Sequence, residues 1–557
     1  VNQSEHSFSP FFSAFSASLR LTSIGLAQAA AERAGFVICR QSWQDDAHRI
    51  WARRMNTHEP MSKVDTAWLR MERPTNLMMI TGVIVLDGAL DVDVLRHAVE
   101  SRFLAFQRFR QRPVELAGQW YWELDDTFDI HWHVRRAALV SPAGKAELQE
   151  YVSNLASSPL DATKPLWQFH LIENYDGGAA LVMRIHHCYA DGIALVQVLL
   201  SLHDTSAHPR HRKAQPQRPQ GNAGNVFERL LAPAMHRVEH AAELVESALH
   251  KAFDWARDPQ AAAESVLGMA RTGTHEAGEI LRELVHALSL ADDPATRFKG
   301  PLGVFKRVAW CDPLPLADVK AVGKALGATV NDVLLACATG ALRAYLLECG
   351  DRVDGLSIRA TVPVNLRPAE RAGDLGNRFG LVMLDLPIGL ANPVARLVAV
   401  RDGMVAIKHS RQAIMTYGLL SALGVGPGML QRPALEMLSR KATAVATNVP
   451  GPQVPLFLCG TPVREMMFWV PQSGSIGMGV SILSYAGSVY FGLISDTRLV
   501  PDPDRIIERF AGELEKLLLI ALMHDGAQPI TPESAEHLLA PAARKPRRRR
   551  KSRSSAS

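Results

Sequence analysis

The densest group of reactive side chains in the chain is Arg184-Ile185-His186-His187-Cys188-Tyr189-Ala190-Asp191-Gly192. An imidazole titrates near 6.5, so a neutral histidine at a crevice can take a proton from an alcohol during acyl transfer. Adjacent residues leaving a strand point to opposite faces. One histidine can therefore face substrate while the other is held in the structure; His187 is read as the base and His186 as its held neighbour. Asp191 can turn back to fix the ring or the surrounding loop, and loop fixing is the favoured role over a second proton carrier. Gly192 is expected to permit a backbone turn that a Cβ would resist. Two adjacent histidines among twenty can be incidental. The complete H-H-x-x-x-D-G pattern, where an apolar run meets a helical one, is far harder to reach by accident. No third ligand at helical or hairpin spacing accompanies the pair, so no metal is expected. No G-x-S-x-G elbow is present, which argues against a serine acyl-enzyme.

The elements that must position this motif are readable from hydrophobic period. Ala179 to Ile185 is a short apolar run fit for a buried strand, and Ile193, Val196, Leu199 and Leu200 mark the helix after it. Trp167 to Ile172 and Thr81 to Leu86 read as further strands, and Asp91 to Phe106 as a helix. Composition turns polar and Pro-rich at 204 to 224, residues 225 to 292 read as helices, and α/β alternation returns from about 303 to 524. The expected map is an N-terminal extension (1–60), a first α/β half (61–203), a linker with helices (204–300), a second half (301–527) and a basic, disordered tail (528–557). Val1 opens the chain, and Met55 or Met61 is a candidate start of the working protein.

The formal net charge is +5, but residues 544 to 553 hold eight Lys/Arg and no acid; without them the remainder stands at −3. A folded domain with a broad nucleic-acid surface carries its charge on the fold, so that class is disfavoured. The six cysteines are scattered with no CxxC pair, which fits reduced, mostly buried thiols. No secretory segment is evident near residues 11 to 30, where Arg20 interrupts the apolar run. Gln412 to Gln431 and Met466 to Ser495 carry no charge. The first holds Gly418, Gly424, Gly426, Pro427 and Gly428, which break helices, and reads as a surface that could lie against lipid. The second reads as buried strands, and no transmembrane span is expected.

H-H-x-x-x-D-G resembles the signature of the superfamily that includes chloramphenicol acetyltransferase-like enzymes and peptide-synthetase condensation domains. Other segments are similar to motifs of the bacterial wax ester synthase/diacylglycerol acyltransferase family: Pro165-Leu166-Trp167 to its PLW, Asn331-Asp332 to its ND, Asn448-Val-Pro-Gly-Pro to its NVPGP, and Val64-Asp65-Thr-Ala-Trp68-Leu69 to its opening region. The likeness spans roughly residues 61 to 525. It implies two chloramphenicol acetyltransferase-like α/β halves with a cleft or channel between them. The implied reaction is an O-acyl transfer from acyl-CoA, as co-substrate and with no bound cofactor, to diacylglycerol or a long-chain alcohol. His187, His186 and Asp191 form the implied catalytic group, supported by Gly192, Asn331, Asp332, Pro165 and Trp167. Each support has a plainer reading: Trp167 as core, Asn331-Asp332 as a helix cap, the Asn448 segment as a turn. If the helix at 331 approaches His187, Asn331 is also a candidate for holding the oxyanion.

Ile414 to Leu430 and Met466 to Leu483 are candidate walls for an acyl channel or plain core. The implied location is cytoplasmic, peripheral on the inner membrane or on lipid inclusions. Three other readings stand beside this one: a condensation-type enzyme fed by a carrier protein, a glycerolipid acyltransferase using His186 and Asp191 as H-x-x-x-x-D, and a tail that binds an anionic partner without catalysis.

Overall fold

The computed structural model describes residues 58–207, 291–367, 375–410, 412–425, 435–524 and 530–539. The helices expected within 225–290, nearly all of the N-terminal extension and the basic cluster at 544–553 lie outside the described residues. Pro60 onward forms one compact unit.

In chain order the first half supplies α1 (Lys63–Met71), β1 (Met79–Leu86), α2 (Val92–Ala98), β2 (Val134–Ala137), α3 (Lys145–Ala156), β3 (Trp167–Tyr175), β4 (Gly178–His186) and α4 (Gly192–Leu200). Ser62 caps α1, its hydroxyl accepting from Asp65 N–H at 3.1 Å. β4 is apolar on both faces and buried along its whole length, because layers cover it on either side. β3 starts on Trp167, whose indole N–H donates to the Phe109 carbonyl while its ring packs among Phe103, Phe169 and His133.

The second half supplies β5 (Lys306–Trp310), α5 (Val330–Glu348), β6 (Ile358–Asn365), β7 (Phe379–Leu386), α6 (Pro393–His409), α7 (Gln412–Val425), β8 (Ala444–Pro450), β9 (Thr461–Trp469), β10 (Met478–Tyr485), β11 (Ser488–Asp496), α8 (Asp504–Met523) and α9 (Pro532–Leu539). β6, β8 and β10 run parallel, with β7 and β11 antiparallel outside them.

Four details correct the sequence map. β9 leaves the second half and pairs with β1 in the first sheet, from Val463 opposite Leu86 to Trp469 opposite Thr81, so the halves interlock. Residues 291–300 are already part of the second half: the Asp293 carboxylate accepts from Arg359 N–H and the Thr443 hydroxyl, and Phe298 is buried. The glycines of 412–425 do not prevent helix α7. The helical cost of a glycine, about 1 kcal/mol, is outweighed by burial of Ile414, Met415, Leu419 and Leu420. α7 lies on β7 so closely that a Cβ at Gly380 would collide with the Ala413 backbone. Its Thr416 and Gln412 side chains accept from Leu381 and Met383 N–H, covering an edge strand. Its buried side chains are thus core; residues 426–431 of the expected lipid-facing stretch lie outside the described residues. Finally, 532–539 is a helix rather than a disordered tail, anchored by buried Ala535 and by Asn392, whose amide donates to the Pro532 carbonyl.

One described helix, α5, is long and apolar enough to cross a membrane, but it is largely buried between α6 and α8. Cys188, Cys311 and Cys337 are buried free thiols; Cys349 and Cys459 are partly exposed.

Candidate active site

β4 delivers His186 as its last residue, and α4 begins six residues later. The His187 backbone is gripped on both sides: its N–H donates to the Met78 carbonyl at 2.7 Å, and its carbonyl accepts from Asn377 Nδ2 at 2.8 Å. The ring stacks on Trp68 of α1 with centroids 4.2 Å apart and faces Phe379 at 5.6 Å. Burial pushes the His187 imidazole down to about 4, against the opposing pull of Asp191, its own carbonyl and Asn377. It is therefore neutral at physiological pH, the form a general base requires. Its Nδ1 is buried without a hydrogen-bond partner.

His186 turns the other way. Its Nδ1 accepts from Cys188 N–H at 3.1 Å, which places the ring proton on Nε2. Glu72 Oε2 lies 2.9 Å from that Nε2, a close polar contact without the alignment of a hydrogen bond. Burial alone would raise the Glu72 carboxyl, but the His186 ring and the Met78 amide bring it below its ordinary value. His186 also donates its backbone N–H to the Leu166 carbonyl, so Pro165-Leu166-Trp167 lies alongside the histidine pair.

Asp191 caps α4 through Ala194 N–H at 3.0 Å, and its carboxylate also takes Arg367 at 2.9 and 3.1 Å and Arg378 N–H at 3.0 Å. With these donors in place it fixes the junction and is not arranged as a proton carrier. Gly192 departs from expectation. Its φ lies outside the left-handed region, it opens an ordinary helix, and a Cβ there would meet nothing within 4 Å. It does not relieve a turn.

The second half reaches the site through residues 375–378. Gly376 N–H donates to the Tyr189 carbonyl and its carbonyl accepts from Asp191 N–H, so this loop runs as a short parallel bridge along 189–191. Gly376 has φ +101°, a backbone that side-chain-bearing residues rarely adopt. Arg367 donates to the Gly376 carbonyl as well as to Asp191. Asn377 donates to Asp65 Oδ1 from its side chain at 2.8 Å and from its backbone at 3.2 Å.

The other motifs meet elsewhere in the second half. Thr329 and Asp332 form a reciprocal capping box at the start of α5. Asn331 Oδ1 accepts from Asn448 Nδ2 at 2.9 Å, which ties the α5 N-terminus to the end of β8. β6, β8 and β10 are parallel, so their carboxyl ends lie on one edge, the side of such sheets where ligands usually bind. Trp167 is core. Reasoning from sequence missed Glu72, Arg367, Asn377 and Phe379, and noted Asp65 and Trp68 without assigning them roles. The run Gly376-Asn377-Arg378-Phe379-Gly380 was the available signal for the loop; nothing local distinguishes Arg367.

Two interlocked α/β halves of this kind recur in solved structures of other proteins. A starter condensation domain of rhizomide synthetase superposes with TM-score 0.52 over 86% of this chain and 97% of its own, at 13% identity. A wax ester synthase/diacylglycerol acyltransferase from Marinobacter aquaeolei VT8 superposes with TM-score 0.58 over 83% and 100%, at 23% identity. Residues 61–334 match the wax ester synthase/diacylglycerol acyltransferase catalytic domain and 375–518 the C-terminal domain of the same family. A Mycobacterium bovis protein bearing the name diacylglycerol O-acyltransferase is 31% identical over 480 residues, 82% of this chain and 90% of its own. The tgs1 protein of Mycobacterium tuberculosis, with the same activity in its name, is 30% identical over 421 residues, 74% and 84%. The chain belongs to the wax ester synthase/diacylglycerol acyltransferase family, and it is an acyltransferase.

Proposed function

We propose that the enzyme moves a fatty acyl group from acyl-CoA to the hydroxyl of diacylglycerol, giving triacylglycerol, or of a long-chain alcohol, giving wax ester. The observation that carries this reading is a neutral, buried imidazole whose backbone is fixed from both halves. His187 takes the hydroxyl proton, the oxygen bonds to the thioester carbon, and the C–S bond breaks as the tetrahedral intermediate collapses. The proton then passes from His187 to the departing CoA thiolate, so atoms and charge balance. General-base action of this kind contributes about 10²–10⁴-fold. The reaction calls for no bound metal or cofactor. The mycobacterial relatives carry diacylglycerol O-acyltransferase in their names, which supports a diacylglycerol hydroxyl as the acceptor.

The test is CoA release from palmitoyl-CoA with hexadecanol or vesicle-borne diacylglycerol, on wild type and His187→Ala. Acceptor-dependent release should fall about 10²–10⁴-fold in the variant. Release that persists unchanged would remove His187 from the chemistry. Lipid substrates and a tail of eight cations support peripheral placement on an anionic membrane or lipid inclusion. Co-flotation with the same vesicles tests that placement.

A further inference from the structure

We propose that Asp65, acting through Asn377, is a positioning residue for His187. The inference rests on His187 being the base. α1 reaches that histidine twice from one face: Trp68 stacks on the ring, and Asp65, one turn earlier, holds the amide that holds the His187 carbonyl. Asp65 Oδ1 takes both Asn377 donors, and the Asn377 side-chain nitrogen is shared between Asp65 and His187. The contacts join α1, the 375–378 loop and the end of β4 into one chain of hydrogen bonds. All three residues are buried.

A carboxylate is a costly way to orient an amide, since burying its charge is unfavourable. That cost appears in its titration. Burial raises the Asp65 carboxyl to about 6, against bonds from Asn377 and Ser62 and the charge of Arg108. The other titratable groups around it are Glu72, which caps the end of the same helix, Cys188, whose thiol burial pushes well up, and His187, which stays neutral down to about 4. Between pH 6 and 4 the carboxyl that takes up a proton at this site is Asp65. Protonation weakens both bonds to Asn377 while the base is still neutral. The acid limb of kcat/KM, which reports the free enzyme, should then fall near pH 6 and not near 4.

The experiment is kcat/KM against pH for wild type, Asp65→Asn, Asp65→Ala and His187→Ala, each checked for folding by circular dichroism. Asparagine retains an oxygen where Oδ1 accepts but has no proton to take up in this range. Asp65→Asn should lose the limb near 6. Asp65→Ala should lower kcat by up to about 10²-fold with KM little changed, as misplacement of a reacting group does. A wild-type limb near 4, or one near 6 that survives in Asp65→Asn, overturns the proposal, and so does a folded Asp65→Ala with wild-type kcat. Should Asp65→Ala not fold, the asparagine profile decides. Turnover retained in His187→Ala would instead break the reading on which this one rests.

Discussion

The 186–192 junction and the 375–378 loop hold the same histidine in different ways. The junction is built from neighbours: strand pairing brings Met79 opposite His186, a backbone bond joins His187 to Met78, and Asp191 caps the helix that follows it. The second half contributes side chains across long separations, Asn377 of the loop to His187 and to Asp65, and Arg367, just past β6, to Asp191. The His187 ring therefore comes from one half, and much of its fixity comes from the other. Two interlocking strands, β1 and β9, make that division stable. Neither half alone should hold a working base.

The halves also differ in what acid does to them. In the first, burial pushes His133, His170, His187 and His203 each down to about 4. A histidine whose folded value lies below its unfolded 6.5 favours the fold fully above 6.5. That contribution is lost as pH falls toward 4, up to about 3 kcal/mol for each residue. Asp65, raised to about 6, works in the opposite direction, because its folded form prefers the proton. One such group offsets about one histidine. The histidines outnumber it, so stability falls across this window. The urea midpoint followed by tryptophan fluorescence should drop steeply between pH 6.5 and 4.5. Trp68, Trp122 and Trp167 all report from the first half. A midpoint flat from pH 7 to 5 would show that these histidines are not held neutral by the fold.

Local chemistry was what the sequence could display. The strand into His186, the helix after Asp191 and the cap at Asp332 are each set by residues within one turn or one strand, so period and residue type reveal them. The family resemblance extended this to the two-half architecture. The swap of β9 into the first sheet was not visible, because β9 and the second-half strands share the same apolar pattern and nothing local says which sheet pairs. α7 was misread because glycine cost was weighed without the burial that offsets it. Arg367 gave no signal and Asn377 only the run around it, since their partners lie 176 to 312 positions away. Gly192 was assigned a strained turn that its backbone does not make.

The Arg367–Asp191 pair is a charged tie between the second half and the junction, with both side chains almost wholly buried. Arg367→Leu leaves the Asp191 carboxylate with only backbone donors in a buried site. Losing one partner of such a pair typically costs about 3–5 kcal/mol. Urea unfolding at pH 7.5, where the histidines contribute fully, measures it. Turnover should fall with it, because the Gly376 carbonyl loses its Arg367 donor and the loop loosens around His187. A cost below about 1 kcal/mol would mean that Asn377 and the loop's backbone bonds to 189–191 hold it without Arg367.

The smallest effect decides whether the second half only holds or also reacts. Asn448 and Asn331 share one half-buried hydrogen bond that ties the α5 N-terminus to the end of β8. A bond of this kind contributes about 1 kcal/mol. Asn448→Ala should lower stability by about that much while kcat/KM changes less than about tenfold, because Asn331 stays on a helix fixed independently by Thr329 and Asp332. A loss of about 10²–10³-fold, the scale of removing one oxyanion donor, would place the Asn331–Asn448 pair at the reacting carbonyl. The second half would then supply charge stabilisation and not merely a grip on the base.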